Sequence, residues 1–356
     1  MKRIAIKVGS NVLSRDDGSL DVTRMSALVD QIAELHREGI EIILISSGAV
    51  ASGKNEIKVK GKLDDISARQ LYSAVGQAKL INRYYDFFRK HGIACGQVLT
   101  TKASLATRNH YLNQKNCIGI MLENKVIPIM NENDTISVTE LMFTDNDELS
   151  GMIAAMMDAE TLIILSNING IYTGLPTDPN SEVIREIDPE KDITDCIHTS
   201  KSAFGRGGML TKYRIARKVA REGIEVIIAN GKTENILPRL LRKNPDVVCS
   251  RFVPADKASS GIKKWIAHSD SFAKGEIHIN ANAAKALTGE KAVSLLPVGI
   301  VSVKGVFEKD DIVRIIDDAG RVIGVGKASY DSEKMRELTG CKGNKPVVHY
   351  DYLYLE

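Results

Sequence analysis

Short runs of β-branched and aliphatic residues alternate with longer stretches of helical period through residues 1–250. This alternation strongly constrains the fold, because strand–helix–strand repeats build a parallel sheet that is covered by helices. The strand candidates are residues 3–8, 41–46, 94–99, 126–130, 161–166 and 225–229. The helical stretches are residues 23–38, 68–90, 109–123, 148–158 and 209–221. We therefore predict an α/β domain whose open, mostly parallel sheet is sandwiched by helices.

The composition changes near Arg251, where Pro254 and a basic segment precede Trp265. Beyond Gly275 the chain has short strands, glycine-rich turns and one helix at residues 281–287, a pattern typical of a small β-barrel-like domain. Its strand candidates are residues 276–279, 298–306, 312–316, 322–327 and 347–350. We predict a larger domain at 1–253, a linker at 254–274 and a second domain at 275–356.

Charge and cysteine content exclude several classes of function. The 48 Lys and Arg residues against 45 Asp and Glu leave a net charge of +3, which is too small to favour nucleic acid or an anionic membrane as the partner. The five cysteines are scattered, which favours reduced thiols over a disulfide or zinc site. The apolar runs are strand-sized, and the N-terminus begins a strand rather than a signal peptide. We expect a cytoplasmic protein without a membrane segment.

Ligands of open α/β sheets bind at the carboxyl ends of the strands, so the loops after the strands are the candidates for a site. The first strand ends in Lys7, Gly9, Ser10 and Asn11, where backbone N–H groups and an ammonium could converge on phosphate oxygens. The second ends in Ser46-Ser47-Gly48. Each loop taken alone is equally compatible with an ordinary tight turn.

Two further loops concentrate carboxylates and carboxamides. They are residues 131–135 (NENDT) and residues 144–148 (TDNDE), the latter directly before an apolar helix. Asp145 to Asp147 could be no more than an N-cap cluster, because Asp and Asn cap helices. Carboxylates beside a phosphate site can also orient lysines, bind a substrate ammonium or contact Mg²⁺.

A glycine-rich loop at residues 205–212 opens another helix. Its glycine pair would expose amides to phosphate, and Lys212 lies one turn into the helix. Glycine pairs also form ordinary hinges. Lys7 and Lys212 together predict transfer of a phosphoryl group by electrostatic clamping.

The motifs KVGSNVL (7–13), SSGAVASG (46–53), NENDT, TDND (144–147) and GGMLTK (207–212) occur in the order found in the amino acid kinase family. The chain resembles that family over nearly its whole length, and in particular its members that phosphorylate free glutamate. The C-terminal segments GEIHINANAAKAL and SLLPVGIVSVKGVF are similar to the PUA domain.

The resemblance implies an ATP-dependent kinase that phosphorylates the side-chain carboxylate of L-glutamate, the first step of proline biosynthesis. By motif, Lys7 and Lys212 would stabilise the moving phosphoryl group, and Asp147 would orient both lysines. Glutamate would be bound by Ser47, Asp134 and Asn146. The nucleotide would contact Lys7, Ser166, Asn167, Arg206, Gly207, Gly208, Met209, Leu210, Thr211 and Lys212. Relatives commonly have Thr-Asp where this chain has Ser166-Asn167, which affects the detail of nucleotide contact.

The same resemblance implies Mg²⁺ as cofactor, bridging the ATP phosphates, with no metal-ligating protein side chain assigned. It further implies a homo-oligomer, feedback inhibition by proline, and a transient partner in the reductase that consumes glutamyl phosphate.

Two kinds of alternative remain at this stage. Acetylglutamate kinase, aspartokinase, uridylate kinase and carbamate kinase share the βαβ plan and the lysine pair, although the NENDT and TDND blocks favour free glutamate. PUA domains elsewhere contact RNA, but the near-neutral chain lacks the arginine-rich or aromatic-interleaved patch of an RNA-binding protein. We therefore expect no RNA partner.

Overall fold

The computed structural model describes residues 2–136, 143, 145–194, 197, 208–256, 261–289 and 292–355. The chain divides into two compact units, residues 1–258 and residues 259–356. Within the described part of the chain, no helix combines the length and apolar character needed to cross a membrane.

An eight-stranded sheet forms the first unit, in the order β3-β4-β2-β1-β5-β7-β8-β6. The strands are β1 (Arg3–Val8), β2 (Glu41–Ser46), β3 (Cys95–Thr100), β4 (Ile127–Glu132), β5 (Thr161–Ser166), β6 (Glu186–Ile187), β7 (Glu225–Asn230) and β8 (Cys249–Phe252). Neighbouring strands are parallel except β7 and β8, which pair antiparallel. The predicted α/β fold with a mostly parallel sheet is confirmed.

The helices of this unit are α1 (Ser10–Leu13), α2 (Val22–Arg37), α3 (Ala49–Lys54), α4 (Asp65–Lys90), α5 (Lys102–Ala106), α6 (Arg108–Glu123), α7 (Asn146–Met156), α8 (Met209–Arg221) and α9 (Ile236–Leu241). Side-chain caps begin the long helices, as in α2 and α4. Asp21 accepts the N–H of Arg24 at the start of α2, and Asp64 accepts those of Ile66 and Ser67 at the start of α4. The patterns missed α3, α9 and β8, because these elements are too short for a period to be recognised.

Alternation along β1 divides its side chains between the two faces of the sheet. Ile4, Ile6 and Val8 are buried in a core cluster that includes residues of α2 and α4. Lys7 lies between Ile6 and Val8 in the strand, so its side chain points to the opposite face. On that face it pairs with Asp147 of α7, which places a buried lysine at the carboxyl end of a central strand.

The second unit contains a five-stranded sheet in the order β10-β9-β11-β12-β13. Its elements are α10 (Gly261–Ala267), β9 (Gly275–Ile279), α11 (Ala281–Leu287), β10 (Ile300–Gly305), β11 (Ile312–Ile316), β12 (Val322–Lys327), α12 (Ser332–Leu338) and β13 (Leu353–Leu355). The expectation of a strand at 347–350 is wrong: Val348 makes an isolated bridge to Leu295, and the last strand begins at Leu353. Helix α12 was also not predicted.

The segment predicted as a linker, residues 254–274, contains α10, whose Trp265 and Ile266 are buried. Ordered structure of the second unit therefore begins before Gly275. The backbone of the first unit continues beyond Val253, since Ala255 donates its N–H to the carbonyl of Ala220 at the end of α8. The assignment of separate roles to the two domains stays a prediction.

Candidate active site

One buried carboxylate joins the two lysines singled out from the sequence. Asp147 Oδ1 lies 2.5 Å from Lys7 Nζ, and Asp147 Oδ2 lies 2.9 Å from Lys212 Nζ. The Asp147 side chain is 0% exposed, and the two lysines are 6% and 13% exposed. We call these three residues the lysine–aspartate cluster. It carries two positive charges and one negative charge, and the carboxylate of Asp145 also interacts with both lysines.

The start of α7 fixes the position of Asp147. Asp145 is the N-cap, and its Oδ1 accepts the N–H groups of Asp147 at 2.9 Å and Glu148 at 3.2 Å. A carboxylate is favourable there because the first N–H groups of a helix lack intrahelical partners. The N-cap interpretation of this loop is therefore correct for Asp145, while Asp147 faces the lysines.

Burial and charge act in opposite directions on these groups. Burial by itself would raise the pKa of Asp147, but the charges of Lys7 and Lys212 outweigh it and hold that pKa well below its ordinary value. For Lys212, burial lowers the pKa, but the charge and hydrogen bond of Asp147 raise it by more. The net shift of the Lys212 pKa is therefore upward. Burial and the neighbouring Asp147 charge raise the pKa of Asp145 to about 6. The ion pair of Asp147 and Lys212 thus keeps its charges at neutral pH.

A second set of polar groups lies beside the end of β2. Asn146 Nδ2 donates to Ser47 Oγ at 3.0 Å and to Asn131 Oδ1 at 3.0 Å. Asn131 in turn donates from Nδ2 to Gln77 Oε1 of α4 at 2.8 Å. The structure therefore brings together Ser47 and Asn146, two of the three predicted glutamate-binding residues, and adds Asn131 and Gln77 as their support.

Two glycines allow the loops around these groups. Gly48 has a φ of 107°, a left-handed conformation that turns the chain from β2 into α3 directly after Ser47. A Cβ on Gly9 would lie 3.1 Å from the Leu165 carbonyl and 3.6 Å from Lys7 Nζ. A Cβ at position 9 would therefore crowd the Leu165 carbonyl oxygen and lie in van der Waals contact with the lysine ammonium.

Asp134, the third predicted glutamate-binding residue, lies just beyond β4 and is 7% exposed. Arg69 of α4 donates from Nε to Asp134 Oδ1 at 2.8 Å and from Nη2 to Glu132 Oε2 at 3.1 Å. Arg69 was not identified from the sequence, and Glu132 lies in the NENDT motif but was assigned no role. An arginine in an amphipathic helix looks like a solvent-exposed charge, and its partners are more than 60 residues away in sequence.

The predicted nucleotide contacts lie at the carboxyl end of β5 and the start of α8. Ser166 is the last residue of β5, and Gly231, after the adjacent β7, donates its N–H to the Ser166 carbonyl at 2.8 Å. Gly208 is the N-cap of α8, which begins with Met209, Leu210, Thr211 and Lys212. Arg206 and Gly207 lie outside the described residues, as does Thr144 of the TDND motif.

No group of three or more His, Cys, Asp and Glu side chains within the described ranges is arranged to hold a metal ion. Asp145 Oδ2 is buried and accepts no hydrogen bond from any described group. A single carboxylate oxygen of this kind fits a water molecule of a hydrated Mg²⁺ carried by nucleotide phosphates, since Mg²⁺ keeps several waters and needs few protein ligands.

A mostly parallel α/β sheet with a buried lysine at the end of β1 and a second in α8, both paired with one carboxylate, fits a phosphotransferase. The family model of the amino acid kinase family matches residues 2–230, and that of the PUA domain matches residues 275–350. The chain belongs to the amino acid kinase family and carries a PUA domain.

Curated relatives support a narrower assignment within that family. The chain is 69% identical to a glutamate 5-kinase of Bacteroides thetaiotaomicron over 354 residues, which cover 99% of this chain and 98% of the relative. It is 47% identical to a glutamate 5-kinase of Chlorobaculum tepidum, over 99% of this chain and 97% of the relative. A glutamate 5-kinase of Vibrio vulnificus is 36% identical, over 99% and 93% of the two chains.

Proposed function

We propose that the protein transfers the γ-phosphoryl group of ATP to the side-chain carboxylate of L-glutamate and so forms L-glutamyl 5-phosphate in the first step of proline biosynthesis. The observation that carries the proposal is the buried lysine–aspartate cluster, with Lys7 at 2.5 Å and Lys212 at 2.9 Å from one carboxylate. The names of the relatives support glutamate as the acceptor.

The chemistry needs charge neutralisation more than proton transfer. A glutamate side chain is already ionised at pH 7, so no general base is required to activate it. One of its carboxylate oxygens forms a bond to the γ-phosphorus, and the bond from that phosphorus to the β–γ bridging oxygen breaks, releasing ADP. Both reactants are anions, and the ammonium groups of Lys7 and Lys212 offset their repulsion.

Asp147 contributes by holding the lysines rather than by contacting the phosphoryl group. With one lysine on each of its oxygens, it keeps two like charges side by side that would otherwise repel each other. Preorganised charges of this kind are effective because they need no rearrangement as the transition state forms. Mg²⁺ bound to the phosphates supplies further charge neutralisation.

The substrate groups would be recognised by the polar side chains around β2 and β4. The Asp134 carboxylate suits the glutamate ammonium, and the Ser47 hydroxyl, to which Asn146 donates, suits a carboxylate. Ser166, Asn167 and the residues from Arg206 to Lys212 would contact the nucleotide. A cytoplasmic location, self-assembly, inhibition by proline and capture of the labile product by a reductase all remain predictions from the resemblance.

A substrate panel tests the proposal. ADP release is measured with ATP, Mg²⁺ and one acceptor at a time: L-glutamate, N-acetylglutamate, L-aspartate, UMP or carbamate. Only glutamate should support rapid release, and hydroxylamine should trap its product as the hydroxamate. Turnover with another acceptor and none with glutamate would assign the chain to a different activity of the family.

Substitution of Asp134 or Asn146 by Ala should raise the KM for glutamate about tenfold or more, because hydrogen bonds to charged groups contribute roughly 1.5–3 kcal/mol. The KM for ATP should change much less, since neither side chain is assigned to the nucleotide. Steady-state kinetics with each substrate varied in turn would measure both constants. Equal changes in the two would count against a glutamate-specific role.

The domain assignment leads to a truncation experiment. All the candidate catalytic residues lie in the first unit, residues 1–258. A chain ending at Ala258 keeps the Ala255 to Ala220 hydrogen bond and should fold and still form the hydroxamate. If it is soluble and monodisperse, with a helix-rich circular dichroism spectrum, yet inactive at saturating ATP, Mg²⁺ and glutamate, the second domain is needed for catalysis.

A further inference from the structure

Arg69 connects α4 to two acidic residues at the end of β4. Its Nε donates to Asp134 at 2.8 Å, and its Nη2 donates to Glu132 at 3.1 Å and also to Asp134. The Arg69 side chain is 21% exposed, whereas the side chains of Glu132 and Asp134 are 4% and 8% exposed. A single guanidinium therefore lies between two nearly buried carboxylates.

The charges of these three residues sum to −1. Without Arg69, two carboxylates with little access to water would lie near each other with no guanidinium between them, an arrangement that Coulomb repulsion and desolvation both disfavour. With Arg69, the two carboxylates are held in one arrangement. A carboxylate fixed in this way suits the ammonium of an amino acid.

Glu132 extends the arrangement toward α7. Its Oε1 accepts the backbone N–H of Phe143 at 2.9 Å, and Phe143 is buried three residues before Asn146. The next residue of α4 after Arg69 also supports the loop, because Gln70 Nε2 donates to the Thr135 carbonyl at 2.9 Å. Helix α4 thus fixes the Asp134 loop through two consecutive side chains near its N-terminus, with Arg69 as the charged contact.

We propose that Arg69 is a positioning residue for substrate recognition, which orients the Asp134 carboxylate for contact with the ammonium of the amino-acid substrate. This inference rests on the function proposed above, in which Asp134 binds that ammonium. Arg69 acts through Asp134 and does not contact the reacting atoms.

The geometry requires a guanidinium and not simply a positive charge. A planar fork reaches Asp134 and Glu132 at once, whereas a lysine ammonium is a point charge on a flexible stem that cannot reproduce both directions. Arg69→Lys should therefore restore part of what Arg69→Met removes.

The experiment is a kinetic double-mutant cycle on the full-length chain. Arg69→Met should raise the KM for glutamate about tenfold, as expected for contacting residues that act as a unit, with kcat and the KM for ATP within about threefold of the wild type. The KM of Arg69→Lys for glutamate should lie between those of the wild type and Arg69→Met. Arg83→Met, the same substitution at an exposed position of the same helix, is the matched control and should change none of these constants.

The cycle is completed in an Asp134→Asn background. If Arg69 acts through Asp134, adding Arg69→Met there should change the KM for glutamate by less than about twofold. A full tenfold effect in that background overturns the inference, as does an equal rise in the KM for ATP. If Arg69→Met does not fold, the test passes to Arg69→Lys, and an unchanged KM for glutamate in that variant also overturns it.

Failure of this inference can be told apart from failure of the proposed function. A wild-type chain that releases no ADP in response to glutamate contradicts the proposed function before any variant is made. A wild-type chain that is active, with Arg69→Met kinetics equal to those of Arg83→Met, overturns the positioning role alone.

Discussion

Replacing Asp147 by Asn should lower kcat by about 10²–10³-fold, because two preorganised charges lose the group that holds them and a single such charge is typically worth about 10². The substitution should also reduce the free energy of unfolding by about 3–5 kcal/mol, the usual effect of removing one partner from a buried ion pair. Lys7 and Lys212 would remain 6% and 13% exposed, and one of them would face an amide N–H group instead of a carboxylate oxygen.

Urea denaturation and single-turnover measurements of hydroxamate formation would check the two parts of this prediction. Asp188→Asn is a suitable control, since Asp188 pairs with Lys191 at 3.8 Å and both side chains are exposed, at 48% and 79%. Surface ion pairs contribute little, so the control should leave both stability and turnover nearly unchanged. An Asp147→Asn protein with normal kcat would show that the lysines are held without Asp147.

Replacing Lys212 by Ala should lower kcat by about 10²-fold or more while the protein stays folded. Lys7 would still neutralise Asp147 at 2.5 Å, so no buried carboxylate is left without a cation. The loss should fall on kcat rather than on the KM for glutamate, because the phosphoryl group gains contact with the ammonium mainly as charge develops on it.

Lys212→Met removes the charge but keeps most of the buried stem, and it should show the same loss of turnover with less effect on stability. Arg214→Ala, at an exposed position of the same helix, is the control for any general effect on α8. Near-normal kcat in both Lys212 variants would remove Lys212 from the catalytic assignment.

Several features could be derived from the sequence, because they depend on local periodicity and on residue chemistry. The bounds of β1, β2, β5 and α8 agree with the predicted ranges, since each has a clear hydrophobic period and a defined end. The predicted strand at 347–350 was wrong, because a short apolar run does not indicate whether a partner strand is within reach.

The placing of polar residues at strand ends was also predictable, because parallel strands bring their carboxyl ends to one edge of the sheet. Lys7 at the end of β1 and Ser47 just after β2 follow from this rule. The presence of a lysine pair near a carboxylate could be proposed from motifs alone.

Only the tertiary structure decided which groups meet. Asp147 is 140 residues from Lys7 and 65 residues from Lys212 in sequence, and their contact depends on the strand order, which places β1 between β2 and β5. The contact of Arg69 with Asp134 depends likewise on how α4 packs against the end of β4. Periodicity indicates which face of an element is buried, but not which distant element covers it. Pair contacts across the sheet are fixed by packing of the whole core, and therefore the sequence determined the type and location of the candidate groups while the fold determined their partners.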